Sequence, residues 1–305
     1  MNSFSQTRFA PTPSGYLHLG NVCNLLLIHC YKKQLNLKVK LRVDDIDRSR
    51  FRVEYLEDIF RVSEFLGVRY DSGPSDVNDF EQNYSQKKKI EKYRSFLKLL
   101  EPHTFMCECT RKTLKDMGSI YPGYCRDKII THDHNLKTRL FVPSREVELG
   151  SFDNLSIAGK LDTLIGDFIL WNSLEDRPSY QLVSLVDDLE YNVDLIIRGD
   201  DLNLSTISQE VIRNVLLTNK ALFSAHKNFS YIHHALITQD NRKISKSVSK
   251  NSSDSIIERF STAEIYSYFW SWVSGEEKMV MSLSELESLF IDRNLTPPFE
   301  SVKFK

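Results

Sequence analysis

The sequence predicts an α/β fold: a Rossmann-like nucleotide-binding domain, interrupted by an insertion and followed by a short helical region. Three observations lead there. Short apolar strands alternate with amphipathic helices from residue 7 to 67, the alternation breaks between about 100 and 185, and it resumes from Asp194 onward. Such alternation is the pattern of a parallel sheet covered by helices. The chain has 305 residues, enough for two domains of roughly 150 residues each.

The elements follow in order. Residues 7–10 form a strand, ended by the turn signal Pro11-Thr12-Pro13-Ser14-Gly15. An apolar helix is expected over 21–34, and Lys38-Val39-Lys40-Leu41-Arg42-Val43 alternates with the period of a strand. Val53, Leu56, Ile59, Phe60 and Leu66 recur at helical spacing, and Gly67 ends that helix. The middle holds a cysteine cluster and short strand-like runs such as 167–171. Asp194-Leu195-Ile196-Ile197-Arg198 is an apolar strand ending in charge. Thr206 and Gln209 make a capping-box pattern for a helix reaching about Thr218. Residues 235–238 read as a further strand, the Ser- and Lys-rich stretch 246–255 as a mobile loop, and the aromatic last 50 residues as helical. The expected division is therefore 1–99 and 186–250 as two halves of one nucleotide-binding domain, 100–185 as an insertion, and 251–305 as a helical appendage.

Composition narrows the class. Hydrophobic residues at 41% and charged residues at 27% exclude wholesale disorder. Forty Lys and Arg against 41 Asp and Glu give a net charge of -1, so no global charge points to nucleic acid, though a local basic face is compatible with it. The longest apolar run, Leu25-Leu26-Leu27-Ile28, is broken by His29, far short of the ~18 residues of a membrane span. The first six residues lack the basic and apolar regions of a signal peptide. Five cysteines, an odd number with three crowded between 107 and 125, do not read as a secreted disulfide framework. A cytoplasmic protein with reduced thiols and no membrane contact is expected.

Four features carry chemistry. Pro13-Ser14-Gly15-Tyr16-Leu17-His18-Leu19-Gly20-Asn21 lies between a strand and a helix, where unpaired backbone N–H groups and the helix dipole favour an anion. Arg242-Lys243-Ile244-Ser245-Lys246-Ser247 offers two lysines three apart, suited to a polyphosphate whose charge grows on departure. Arg42-Val43-Asp44-Asp45-Ile46-Asp47-Arg48 places three carboxylates at the carboxyl end of a strand, the edge where open α/β sheets bind ligands. Such carboxylates could hold a metal, an amino group or a ribose. Cys107, Cys109 and Cys125 suggest tetrahedral zinc, with Tyr121, Tyr124, His103, His132 and His134 competing for the fourth position. Cys23 and Cys30 fall on the apolar helix and read as core. Neither a Walker loop nor the dinucleotide glycine pattern occurs.

Together these features describe a nucleotidyl-transfer site, and the chain resembles the class I aminoacyl-tRNA synthetases of the glutamyl group, most closely the glutamyl-Q tRNA(Asp) synthetases. His18-Leu19-Gly20-Asn21 corresponds to that family's HIGH signature, with Asn21 in place of the last His, and Lys243-Ile244-Ser245-Lys246-Ser247 to its KMSKS signature. Arg8-Phe9-Ala10-Pro11-Thr12-Pro13-Ser14-Gly15 matches the opening segment, whose Arg binds the substrate's side-chain carboxylate. A bidentate Arg–carboxylate pair suits selection of an acidic amino acid. The resemblance thus implies ATP contacts from His18, Gly20, Asn21, Lys243, Ser245 and Lys246. It implies amino-acid contacts from Arg8, Ala10, Thr12, Asp44, Tyr180 and Arg198. Two departures are visible: Gln181 stands where the family has Asn, and Asp44 where it has Glu. Cys-x-Cys, eleven residues, Tyr, three residues, Cys is the arrangement of the glutamyl-Q enzymes, and it selects Tyr121 as the fourth ligand of a structural zinc.

By that resemblance the fold is a class I synthetase Rossmann-like domain with an inserted zinc-containing α+β acceptor domain. The resemblance also implies a monomeric ligase that activates L-glutamate with ATP and Mg²⁺. His18, Lys243 and Lys246 would act catalytically. With about 55 residues after the Lys-Ser segment, no anticodon-binding region of the usual size is expected, so the acceptor would be queuosine in tRNA(Asp). Two alternatives differ in kind: a synthetase-like ligase serving another acceptor (ordinary tRNA, a carrier protein or a small molecule), and a non-catalytic binding module.

Overall fold

The computed structural model describes residues 4–110, 113–114, 120–130, 136–150, 155–218, 229–237, 254–295 and 301–304. In chain order the strands and longer helices begin with β1 (Gln6–Phe9), α1 (Leu19–Leu35), β2 (Lys38–Leu41), α2 (Val53–Phe65), α3 (Ile90–Leu100), β3 (Thr104–Cys107), β4 (Lys137–Leu140), β5 (Glu146–Gly150) and β6 (Leu155–Lys160). They continue with β7 (Ile169–Asn172), β8 (Arg177–Pro178), α4 (Tyr180–Glu190), β9 (Leu195–Gly199), α5 (Asn203–Thr218), β10 (Ser230–His234), α6 (Thr262–Ser274), α7 (Leu283–Asp292) and β11 (Ser301–Phe304). The chain divides into two compact units, one of residues 1–86, 193–200 and 234–297, the other of 87–192, 201–233 and 298–305.

In the first unit β1 pairs with β2 in parallel, from Gln6 opposite Lys38 to Phe9 opposite Leu41. Parallel neighbours need a crossover, and α1 supplies it. That helix is apolar almost all round, with Val22, Cys23, Leu25, Leu26 and Cys30 fully buried, as a helix covered on every side should be. It stops at Asn36, whose left-handed backbone (φ 53°) returns its N–H to Lys32 O. The amphipathic α2 buries Leu56, Ile59 and Val62 and exposes Glu57, Arg61 and Glu64. β9 runs beside β1: Asp194 N–H donates to Gln6 O, and the Asp194 carboxylate accepts from Ser5 N, Ser5 Oγ and Gln6 N at 2.6–3.1 Å.

The expected helical C-terminal region is present as α6 and α7, in the same unit. α6 opens on a Ser261–Glu264 capping box and ends on Gly275. Tyr266 donates to Leu66 O, His29 Nε2 meets Glu287 Oε1 at 2.6 Å, and Tyr31 packs edge-on to Phe290. These contacts seat the two helices on α1 and the end of α2. Beyond them, β11 is a strand, antiparallel to β5.

The second unit has a four-stranded antiparallel sheet in the order β3-β4-β7-β8 and a three-stranded one in the order β11-β5-β6. Lys89, just ahead of α3, and Tyr93 within it tie that helix to Asp187 of α4 at 3.1 and 3.0 Å. Two local expectations are corrected. The strand expected at 235–238 lies earlier, at β10, because the buried side chains are Tyr231 and Ile232 whereas Leu236 is exposed. Thr206 and Gln209 do not cap a helix. They are buried inside α5, where the Thr206 hydroxyl bonds back to Leu202 O and to His233 Nε2. The same residue pattern serves a polar core contact as well as a cap.

The Asp194 clasp should be the dominant tether of the N-terminal strand. Asp194→Ala is expected to destabilise the protein by about 2 kcal/mol, the scale of hydrogen bonds to a charged group, read from urea denaturation.

Candidate functional site

The β1–β2 ladder continues past the strands, with Arg42 N–H donating to Phe9 O and Asp44 N–H to Pro11 O, both at 2.9 Å. This pairing sets the segment from Ala10 to Thr12 alongside Asp44. The chain then turns, with Ser14 N–H on Thr12 O, and enters α1 through a reciprocal cap. His18 Nδ1 accepts from Asn21 N–H at 3.3 Å, and Asn21 Oδ1 accepts from His18 N–H at 3.1 Å. With Nδ1 accepting, a neutral imidazole carries its proton on Nε2 as a donor. A Cβ on Gly20 would lie 2.9 Å from His18 Cε1 and 3.1 Å from Nδ1, so any larger residue would displace the ring. No acidic residue occupies the first turn of this 17-residue helix. Its positive dipole end is therefore not neutralised from within, which suits an anion.

Beside this turn lie two buried cations. Arg8 and Arg198, on the neighbouring strands β1 and β9, are each 3% exposed, and Arg8 Nη1 donates to Ile197 O at 3.4 Å. Buried guanidinium groups favour an anionic partner.

The carboxylates of the acidic strand end are hydrogen-bonded within the fold. Arg42 clamps Asp44 through Nε–Oδ1 at 2.7 Å and Nη2–Oδ2 at 3.0 Å, and Gln86 Nε2 adds a bond to Oδ1 at 3.1 Å. Asp45, fully buried, accepts from Arg48 Nε and Nη2, Ser85 Oγ and Gln86 N–H. Asp47 caps the turn that begins at Arg48 by accepting from Ser49 N–H. Of the readings open for these carboxylates, a metal group is not formed: among the described residues the cysteines alone gather as one. The Arg42 clamp was visible in principle, since residues i and i+2 share one face of a strand. Nothing marked Gln86. Asp58, which accepts from Leu17 N–H at 2.9 Å and from Ser255 Oγ, was masked by sitting in an otherwise ordinary amphipathic helix.

Tyr180 belongs to the second unit, at the first turn of α4, and Gln181 there donates to Ser205 Oγ at 3.2 Å. Lys243, Ser245 and Lys246 lie outside the described residues, as does most of the 246–255 stretch.

In the second unit the end of β3 delivers Cys107 and Cys109 to one pocket with Cys125, their sulfurs all within 4.8 Å of one another. Cys109 and Cys125 sulfurs are 3.6 Å apart, and the Tyr121 hydroxyl lies 3.6 Å from Cys107 and 4.0 Å from Cys109. Tetrahedral zinc with Zn–S near 2.3 Å separates its ligand sulfurs by about 3.8 Å, so these four groups fit such an ion. His103 is not in the group, His132 and His134 lie outside the described residues, and Tyr124 is exposed. The loop is held by neighbours. Arg126 grips buried Asp167 at 2.6 and 2.8 Å, and Gly166 (φ +57°) passes so close that a Cβ would stand 2.8 Å from Tyr121 O.

Electrostatically the cluster wants a cation. Burial and the neighbouring Cys125 and Cys107 push the Cys109 thiol up to about 11. Burial, with hydrogen bonds to the same two cysteines, raises the Tyr121 phenol. Burial also opposes ionisation of Cys107, but hydrogen bonds from Tyr121 and Arg139 outweigh it and hold that thiol low. Arg139 lies 3.9 Å over the Tyr121 ring. A dication would relieve the mutual repulsion of these ligands.

Residues 5–259 match the family model described as tRNA synthetases class I (E and Q), catalytic domain. The glutamate–tRNA ligase of Desulfosudis oleivorans is 29% identical over 237 residues, 72% of this chain and 47% of that protein. The glutamyl-Q tRNA(Asp) synthetase of Nitratidesulfovibrio vulgaris is 31% identical over 229 residues, 68% of this chain and 69% of that protein. The chain thus spans about half the length of the glutamate–tRNA ligases it matches. In fold it is similar to the crystal structure of the glutamate–tRNA synthetase from Elizabethkingia anophelis, with a TM-score of 0.74 at 18% identity, covering 93% of this chain and 65% of that one.

The metal reading predicts about one equivalent of zinc in the purified protein, by elemental analysis, and its loss in Cys109→Ser. A wild type without zinc would reject it.

Proposed function

The chain belongs to the family of class I (E and Q) tRNA synthetase catalytic domains, and from that membership we propose that it activates glutamate with ATP and transfers the glutamyl group to tRNA. The observation that carries the reading is the pair of buried arginines, Arg8 and Arg198, on strands β1 and β9, which run side by side ahead of the capped N-terminus of α1. One site for an acidic side chain therefore lies in the same unit as one for phosphates.

In this reading the phosphates of ATP rest against the backbone around Gly20 and the His18 ring, with Asn21 holding that ring in place. Arg8 and Arg198 take the side-chain carboxylate of glutamate, and Ala10 and Thr12 complete its pocket. The α-carboxylate oxygen attacks the α-phosphorus in line, forming the acyl–phosphate bond of glutamyl-AMP as the bond to pyrophosphate breaks. Positioning and charge stabilisation supply most of the rate. Lys246, aided by Lys243 and Ser245, neutralises the departing pyrophosphate. Mg²⁺ bound with ATP would add charge neutralisation on the phosphates. Cys107, Cys109, Tyr121 and Cys125 would hold zinc with a closed shell of protein ligands, a structural role.

For the acceptor we propose queuosine in tRNA(Asp), served by a cytoplasmic monomer. The Cys-x-Cys, Tyr, Cys ligand set supports it, as does the similarity to a glutamyl-Q tRNA(Asp) synthetase. No helix among the described residues is long and apolar enough to cross a membrane. One observation favours a second reading, a different amino acid or acceptor. The carboxylate expected to meet the substrate's amino group, Asp44, is already matched by Arg42 and Gln86.

Lys246→Ala should slow ATP–pyrophosphate exchange by about 10²-fold or more without changing the melting temperature; near-normal exchange would remove that role. Radiolabelled glutamate transferred to total tRNA should appear, after ribonuclease digestion, in the anticodon fragment. Label on the 3′-terminal adenosine would move the acceptor assignment to ordinary aminoacylation.

A further inference from the structure

Asp58 is a carboxylate in the wrong company. It sits on α2 between Leu56, Ile59 and Val62, and like them it is fully buried. Among the described residues no lysine, arginine or histidine lies within ion-pair distance of it. A buried carboxylate without a cation persists only where hydrogen bonds replace its water. Asp58 has two partners, and they come from far-separated parts of the sequence. Its Oδ2 accepts the Leu17 N–H at 2.9 Å, and its Oδ1 accepts the Ser255 hydroxyl. Leu17 immediately precedes His18, the cap of α1. Ser255 is the cap of the short turn Ile256–Glu258 and follows Lys246 by nine residues. Both partners are themselves buried.

From this placement we propose that Asp58 is a positioning residue for ATP: one buried carboxylate holds the approach to the phosphate-binding turn and the chain just downstream of the lysine segment in a fixed relation. The proposal rests on the reading of that turn as the ATP site. The geometry distinguishes it from a general brace. An ordinary packing contact would anchor one segment to the core, whereas this group accepts one bond from each of the two stretches that flank the proposed phosphate-binding residues. The amide it holds belongs to the residue whose carbonyl is bonded to His18 N. A shift of Leu17 therefore carries the His18 cap with it, and His18 Nδ1 is already committed to Asn21. Asp58 makes no hydrogen bond to β1 or β9, which carry Arg8 and Arg198, so the glutamate KM should respond far less than that for ATP.

The test is ATP–pyrophosphate exchange with glutamate, comparing wild type, Asp58→Asn and Ser255→Ala, with the melting temperature of each. Asn keeps the size but only one acceptor oxygen. Asp58→Asn should raise the KM for ATP about tenfold, the scale of one weakened hydrogen bond to a charged group, while the glutamate KM stays within about twofold. Ser255→Ala keeps the carboxylate and the Leu17 bond, so it folds even if Asp58→Asn does not, and it should raise the ATP KM about threefold. A lower melting temperature with an unchanged ATP KM in both variants would overturn the proposal, as would equal rises in both KM values. If the wild type shows no exchange with any amino acid, the reading of the site fails instead. Hydrogen–deuterium exchange then decides the brace by itself: faster uptake in Asp58→Asn over both 15–20 and 254–260 supports it, and unchanged uptake rejects it.

Discussion

The parallel pairing of β1 with β2 is the constraint on which the candidate active site depends. Parallel strands start at the same end, so the chain must cross back over the sheet between them, and α1 makes that crossing. The turn ahead of α1 is thereby held at the carboxyl end of the strands, where the positive end of a helix and the sheet edge meet. The same register extends by two further bonds, Arg42 to Phe9 and Asp44 to Pro11, which bring the acidic loop after β2 alongside. Asp194 then adds β9, and with it Arg198, to the other side of β1. The capped turn ahead of α1, the acidic loop and the paired arginines all follow from one register.

Much of this was legible in the sequence. The strand at 7–10 emerged from the turn signal that ends it, the helix after His18 from its apolar run and the strand at 38–43 from its alternation, and their core residues are the buried ones. The cysteine cluster was legible for a different reason, since reduced thiols crowded at short spacing point to a metal. The Thr206–Gln209 pattern misled because a cap and a buried polar contact draw on the same residue types, and only the partner, here His233, tells them apart. The strand at 230–234 was misplaced by a few residues since Leu236 is apolar yet exposed. Asp44 and Asp45 look alike in sequence, but one is clamped by its strand neighbour and the other by Arg48, Ser85 and Gln86. Contacts across 40 residues leave no local trace.

The two units answer different physical demands. In the first, backbone hydrogen bonds and buried carboxylates set the positions of the charged groups at the sheet edge. In the second, a tight loop gathers three thiols and a phenol whose joint ionisation a cation would favour. Gly166 and the Arg126–Asp167 pair give that loop its close packing. A structural ion there would replace the hydrophobic core that so short a loop cannot supply.

Activation of glutamate is the reaction to test first. The direct measurement is pyrophosphate exchange into ATP with each of the twenty amino acids, with and without tRNA. Exchange that depends on glutamate and proceeds without tRNA is the predicted result, as the resemblance to the glutamyl-Q enzymes implies. Absence of exchange with every amino acid, with tRNA present or absent, would contradict it.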